Sequence, residues 1–417
     1  MKKRFYFGEM WFALFIFSGY FKGSVNLVDV DLTILFLILT GLSSFLRLVR
    51  QPDFSVSVIV PFVLYVILTM LVILSYFYAP NTVLMQEKTF KYLGLTTPAF
   101  LFVYLLIRDK KSLKMFLAFL SIISLVLSII SFTLTSSVSG FVGFNDGNYL
   151  GLGRINGIGL AVIIFLGVFN SEIRRGKVFL LLFSSIIAIS LLSTGGRMPV
   201  ISVMCAALIV MVSSIKIKNG NLTFPSYFKK TLLIIPISIG AVYFAYKKGI
   251  IDQFLNRFLV LFYESSGGSS SVGRLERYYL SFELWKDNFV FGTGFGGFGF
   301  YYTNDQSHDY PHNLFLEMLS ELGLLGFMTI TVLVIIVLIR CFKLTKNKKI
   351  RNDSLFITTI IVSLIIFINA MVSGDVNENR ILFTFLAILS LLPVLYNSKN
   401  TEEIECYSDE NPKVIRM

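Results

Sequence analysis

The chain has 417 residues, of which 55% are hydrophobic and 15% charged, with a formal net charge of +12. A soluble globule carries about 25% charged residues, so a soluble enzyme is excluded, and the apolar content excludes disorder. Continuous rather than alternating apolar runs exclude a β-barrel and leave an all-α polytopic membrane protein.

A membrane helix needs about 17–25 mostly apolar residues. Twelve stretches qualify in chain order: 7–22, 27–46, 56–78, 92–107, 115–136, 155–170, 178–194, 199–214, 231–246, 319–340, 354–373 and 381–396. The first follows Met1-Lys2-Lys3-Arg4 and lacks a small-residue cleavage site, so it reads as an uncleaved span. With both termini cytoplasmic, the N-terminus and the connections on its side carry 22 Lys and Arg, and the tail adds 3. The opposite side carries 12, six of them in one long loop. This bias obeys the positive-inside rule and assigns the positive charge to topology in a cytoplasmic membrane, not to a nucleic-acid partner. Cys205, Cys341 and Cys406 form no pair on an external loop, so no disulfide framework is expected.

The chain therefore divides into spans one to nine over 1–246, an extracytoplasmic loop over 247–318, spans ten to twelve over 319–396 and a disordered cytoplasmic tail over 397–417. In the loop, Ile251, Phe254, Leu255, Phe258, Leu259 and Phe262 share a helical face, the pattern of a helix lying flat on the membrane. Residues 265–273 are rich in Gly and Ser, and 274–288 are helical again. Gly292, Gly294, Gly296, Gly297 and Gly299 then mark an aromatic, glycine-rich turn. Pro311 opens the next helix from its first turn, so His312, Leu316, Ser320 and Gly323 follow one another on successive turns.

His308 and His312 are the only histidines, and both lie in this loop. His312, followed by Asn313, Glu317 and Glu321, is a candidate general base. Zinc is disfavoured: Pro311 interrupts the His308–His312 pair, and no cysteine or carboxylate cluster completes a ligand set. Arg197 stands in Ser193-Thr194-Gly195-Gly196-Arg197-Met198-Pro199 between two spans, where an unpaired arginine is costly. The glycines and the helix start beside it suit an anion. Arg274 and Arg277 lie one helical turn apart, and Arg154 and Arg380 sit at outer ends of other spans. These external cations fit a phosphate-bearing ligand, because guanidinium binds phosphate through two parallel hydrogen bonds. Lys88 and Lys91, also placed outside, suit lipid headgroups equally well. No strand precedes Gly292-Thr293-Gly294-Phe295-Gly296-Gly297, so it is not a dinucleotide loop.

The ordered set resembles the O-antigen polymerase and O-antigen ligase family. It comprises Gly273-Arg274-Leu275 through Trp285, Gly292 to Phe298, His312-Asn313-Leu314-Phe315-Leu316-Glu317, Glu321-Leu322-Gly323 and Gly326, preceded by Arg197. Gly374-Asp375 and Asn379-Arg380 form a weaker late echo. Val290-Phe291 stand where the family often has proline before Gly-x-Gly, and Gly196 stands where it often has serine. The resemblance implies a metal-independent, inverting glycosyltransferase without cofactor, taking an undecaprenyl-diphosphate-linked glycan as donor and a second glycan as acceptor. It implies polymerisation of lipid-linked repeat units into capsular, exopolysaccharide or O-antigen chains outside the cytoplasm, with a flippase and a chain-length regulator as expected partners. On this reading His312, Arg197 and Arg274 are catalytic, while Arg277, Arg380, Asn313, Glu317, Arg154, Tyr278 and Trp285 bind substrate. A ligase using another acceptor is the alternative within the family. A polysaccharide flippase or transporter is the alternative from another class, although transporters concentrate charges and broken helices near the midplane.

Overall fold

The computed structural model describes residues 6–21, 31–50, 58–80, 82–132, 149–170, 176–213, 215–218, 221–223, scattered positions in 240–259, 269–304 and 307–397. Most of the ninth predicted span, the predicted flat helix and almost all of the tail lie outside these residues.

The helices are α1 (Phe7–Phe21), α2 (Leu32–Arg50), α3 (Ile59–Ser75), α4 (Val83–Lys91), α5 (Thr97–Leu106), α6 (Lys110–Ser131), α7 (Tyr149–Val162), α8 (Lys177–Ser193) and α9 (Arg197–Ser213). They continue with α10 (Ser269–Asp287), α11 (Gly297–Thr303), α12 (Leu314–Leu344), α13 (Lys348–Arg351), α14 (Ser354–Ala370) and α15 (Arg380–Asn397). Single π-turns join α4 to α5 and extend α7. Among the described residues, six helical segments are long and apolar enough to cross a membrane, and five shorter apolar helices accompany them. Among the described residues, the predicted spans other than the ninth all fall on one of these helices. The chain is a multi-pass membrane protein.

The burial pattern is that of a protein solvated by lipid. On α2 the buried residues are Thr33, Thr40 and Ser44, while Ile38, Phe45 and Val49 face outward. Lipid is as apolar as leucine, so helix contacts favour small and hydrogen-bonding residues instead. Asn156 of α7 shows the same rule. It accepts from Ser128 at 3.0 Å and donates to Ser190 at 2.9 Å, joining α6, α7 and α8. Helices α7 and α15 are apolar and buried almost all round, as expected of core helices.

Polar groups collect at two opposite ends. At one, Arg47 bridges Glu9 at 2.8 Å and the Leu106 carbonyl at 2.6 Å, and Tyr396 donates to Asp353. The other end gathers the C-terminus of α3, the N-termini of α4, α7, α9, α12 and α15, and helix α10.

Four local expectations are corrected. First, α12 opens with Asn313, whose side chain accepts from the backbone of Phe315 at 3.0 Å and Leu316 at 3.1 Å. Pro311 precedes the helix, and His312 is not on it. Second, α10 begins at Ser269, within the Gly/Ser stretch, consistent with serine's preference for helix starts. Third, the fourth span reaches back to Val83, because Thr82 caps it and its internal lysine finds carboxylate partners. Fourth, Lys216–Lys218 and Asn221–Thr223 form an antiparallel hairpin, whose sequence signal is Asn219-Gly220.

Candidate active site

The site is built on the start of α12. This helix is broken at Gly323, which has φ 63° and ψ −159°. The segment 289–294 crosses the break: Thr293 and Gly294 donate to the carbonyls of Ser320 and Glu321, each at 2.9 Å, and Leu324 donates back to Phe289 at 3.0 Å. A Cβ on Gly292 would strike the backbone of Glu321 and Gly323, and one on Gly294 would strike Ala79. The glycine-rich motif thus serves a close backbone crossing.

Beneath the crossing lies a buried ionic hub. Lys88 of α4, buried at the edge of a cleft, bonds both Glu321 oxygens at 2.8 Å and contacts Glu317 Oε1 at 2.6 Å. Glu321 Oε2 also accepts from the Gly296 amide at 2.9 Å, and Glu317 Oε1 from Val376 at 3.2 Å. Asn377 holds the Lys88 carbonyl at 2.9 Å. Buried charges are costly unless paired; here one ammonium serves two carboxylates, and Glu317 Oε2 has no hydrogen-bond partner among the described residues. It ties α4, the glycine crossing, α12 and the turn before α15 into one unit. Lys88 is therefore not available to lipid headgroups.

Beside the hub lies a cationic cluster. Helix α10 packs along α12 and brings Arg274 and Arg277 to the chain preceding it. Arg277 bonds Asp309 Oδ1 through Nη2 at 2.7 Å and Nε at 3.2 Å, and its guanidinium lies 4.6 Å from the Tyr302 ring centre. Asp309 also accepts from Ser307 at 2.6 Å. Burial pushes the Asp309 carboxyl up, but Ser307 and Arg277 outweigh this and hold it below the usual range. Arg274 is half-buried and takes no hydrogen bond or ion pair among the described residues.

His312 stands immediately before the N-cap, in a left-handed conformation with φ 58°. A non-glycine residue held there stores strain, and such positions cluster at functional sites. Its ring meets Tyr310 edge-on with centroids 4.4 Å apart, and its buried Nδ1 has no hydrogen-bond partner. Burial, then Arg274 and Arg277, push its pKa down to about 4. Asp309 opposes this and Arg154 adds to it. The imidazole is neutral at physiological pH.

Arg154 reaches this cluster from α7. It is buried, lies 3.5 Å from Asn379 Oδ1, and sits where a Cβ on Gly374 would come within 3.0 Å of its guanidinium. Gly374 also has φ 78°, so glycine is required there twice over. The turn carrying Arg197 packs on the same stretch of α7, through Pro199 against Gly153 and Gly196 against Leu150. Arg197 itself is half-buried at the start of α9.

A cleft of about 480 Å³ adjoins the cluster, lined by Thr33, Lys91, His308, Tyr310, Asp375 and Glu378 among others. Arg380 lines it too, but its guanidinium donates to the Phe15 carbonyl at 3.1 Å and the Ile16 carbonyl at 3.3 Å. His308 lies 3.3 Å from Glu87, which also pairs with Lys91. Glu378 opens to the cleft yet is surrounded by protein; that burial and Asp375 raise its pKa, while Arg154 opposes the shift.

The structure thus gathers His312, Arg274, Arg277 and Arg154, with Tyr278 beside Arg274. Trp285 stands eleven residues farther along α10, about 16 Å at helical rise, and donates to the Phe289 carbonyl. Asn313 serves as the α12 cap and also donates to the Met371 carbonyl at 3.1 Å. The carboxylate of Glu317 faces Lys88. Tyr310 and Glu378 were missed, and Asp375 was read only as part of the weaker late echo. Their sequence signal is faint: an aromatic two residues before His312, and two carboxylates just before Arg380. Among the described residues no group of three His, Cys, Asp or Glu is placed to hold a metal ion.

Residues 180–331 match the family model described as Wzy_C, O-antigen ligase. Comparison with curated proteins gives no match.

Proposed function

We propose, from the O-antigen polymerase and ligase family to which residues 180–331 assign this chain, that it polymerises lipid-linked oligosaccharide repeat units. The donor is an undecaprenyl-diphosphate glycan, and the products are capsular, exopolysaccharide or O-antigen chains. On the twelve-span reading of the sequence, both termini are cytoplasmic and the His312 end lies outside. The reaction needs no metal and inverts the anomeric centre.

The observation that carries this reading is Arg274, half-buried without an ion-pair partner among the described residues, beside a neutral His312. A diphosphate is a good leaving group, so catalysis needs charge stabilisation on the departing oxygens more than a strong acid. Arg274 and Arg197 take that role, with Arg277 and Arg154 adding positive potential. His312 removes the proton of the acceptor hydroxyl. The new C–O bond forms on the face opposite the breaking C–O bond to phosphorus. The electron pair leaves with the diphosphate, and the proton stays on the imidazole. Asn313 sets the position of His312 through the helix cap, and Glu317 anchors α12. Arg380 borders the glycan path, and Tyr278 and Trp285 offer rings along α10.

Purified protein incubated with one lipid-linked repeat unit tests the reading. A ladder of products is expected. Transfer only to a different acceptor makes the protein a ligase, and movement of the lipid without bond formation overturns glycosyl transfer.

A further inference from the structure

The cleft beside His312 has a chemistry that the arginine cluster lacks. Its volume, about 480 Å³, lies within the range of small-molecule sites. Its cations are already engaged: Lys88 with Glu317 and Glu321, Lys91 with Glu87, Arg380 with the α1 carbonyls. Asp375 and Glu378 stand in the wall, so a diphosphate entering here meets like charge. The remaining polar groups, Tyr310 and Thr33 among them, both donate and accept hydrogen bonds. Carboxylate, hydroxyl and phenol together suit the hydroxyls of an uncharged sugar.

The cleft is also wired to His312. Tyr310 lines it together with Glu378 and places its ring edge-on to His312. His312 Nδ1 has no acceptor. The imidazole is therefore held by the Tyr310 ring and by its left-handed backbone rather than by an orienting carboxylate. A glycan seated in the cleft stands one aromatic ring from His312.

We propose that this cleft is the acceptor-glycan subsite, in which Asp375 and Glu378 hold the acceptor's hydroxyls and Tyr310 positions His312. The proposal rests on the glycosyl-transfer reading above and assigns the diphosphate and the acceptor to separate walls. The test uses the full chain in lipid nanodiscs, a lipid-linked repeat unit as donor, and the same oligosaccharide as a hexyl glycoside lacking diphosphate. Glu378→Gln is expected to raise the KM for the hexyl glycoside about tenfold, the scale of a lost charged hydrogen bond, with the donor KM unchanged. Tyr310→Phe is expected to raise the same KM. Tyr310→Ala is expected to lower kcat as well and to change its pH profile, which loss of an acceptor contact alone would not do. Saturation-transfer NMR of the hexyl glycoside, without donor, should show binding to wild type and loss of it in Glu378→Gln. An unchanged acceptor KM, or a rise in donor KM instead, overturns the subsite while leaving glycosyl transfer intact. A wild-type protein that binds the hexyl glycoside through Glu378 but makes no product overturns the transfer reading and keeps the subsite.

Discussion

Two charged regions share the outer end of α12, and they are built on opposite principles. Around Lys88, one ammonium faces two carboxylates, and backbone amides take up further oxygens. The set is held from within the fold, with Glu317 Oε2 left as its one oxygen lacking a hydrogen-bond partner among the described residues. Around His312, Arg154, Arg274 and Arg277 exert positive potential against Asp309 alone among its main charged neighbours. On the proposed reading, an anion beside Arg274 completes that set. The difference separates what holds the site together from what the site acts on.

The largest expected effect strikes the Lys88 region. Lys88→Met leaves Glu317 and Glu321 buried without their cation, and breaking a buried pair costs about 3–5 kcal/mol. Folded protein should be lost on extraction, measured as yield and melting temperature, and adding Glu317→Gln and Glu321→Gln should restore part of it. A stable but inactive Lys88→Met protein would erase the distinction between the two regions.

In the His312 region the effects fall on rate instead. His312→Ala should lower turnover about 10²–10⁴-fold, the usual contribution of a general base, with insertion and melting unchanged. Full-length polymer from this variant removes the base assignment. Arg274→Lys should lose about 10²-fold, because a point charge does not replace a two-pronged donor at the departing diphosphate. Its melting temperature should stay at the wild-type value, since Arg274 has no ion-pair partner to lose among the described residues. A destabilised Arg274→Lys protein would place this arginine in the scaffold.

The smallest effect is a displaced pH profile. With the His312 pKa pushed down to about 4, the free enzyme keeps a neutral base down to that pH. The acid limb of kcat/KM, which reports the free enzyme, should therefore lie near pH 4. A bound diphosphate neutralises the arginines and raises the imidazole pKa, so the limb of kcat should lie higher. A kcat/KM limb at the ordinary histidine value shows that burial and the arginines do not act on His312.

Much of this organisation was legible in the chain. Apolar runs marked the spans because lipid demands them regardless of neighbours. His312, Arg274 and Arg277 were legible because short polar motifs near membrane ends have few structural uses. Lys88 was not. An unpaired lysine argues against a span, so the predicted fourth span began after it. Its partners lie more than two hundred residues away, at Glu317 and Glu321. Glu378 and Tyr310 escaped for a similar reason: neither has a local pattern, and the cleft between them exists only once α1, α4 and α15 converge. The glycine motif was read as a turn; in addition, Gly292 leaves room for the backbone of Glu321 and Gly323, Gly294 for Ala79 and Gly296 for Met85.

Composition and periodicity by themselves determined the membrane class and most helix positions, because each follows from one segment meeting its solvent. Which cations are neutralised in place, as Lys88 is, and which share a cluster with His312 was decided by the packing of α4, α7 and α10 about the start of α12. Coulomb energy depends on distance and burial, and those quantities arise only when remote parts of the chain meet.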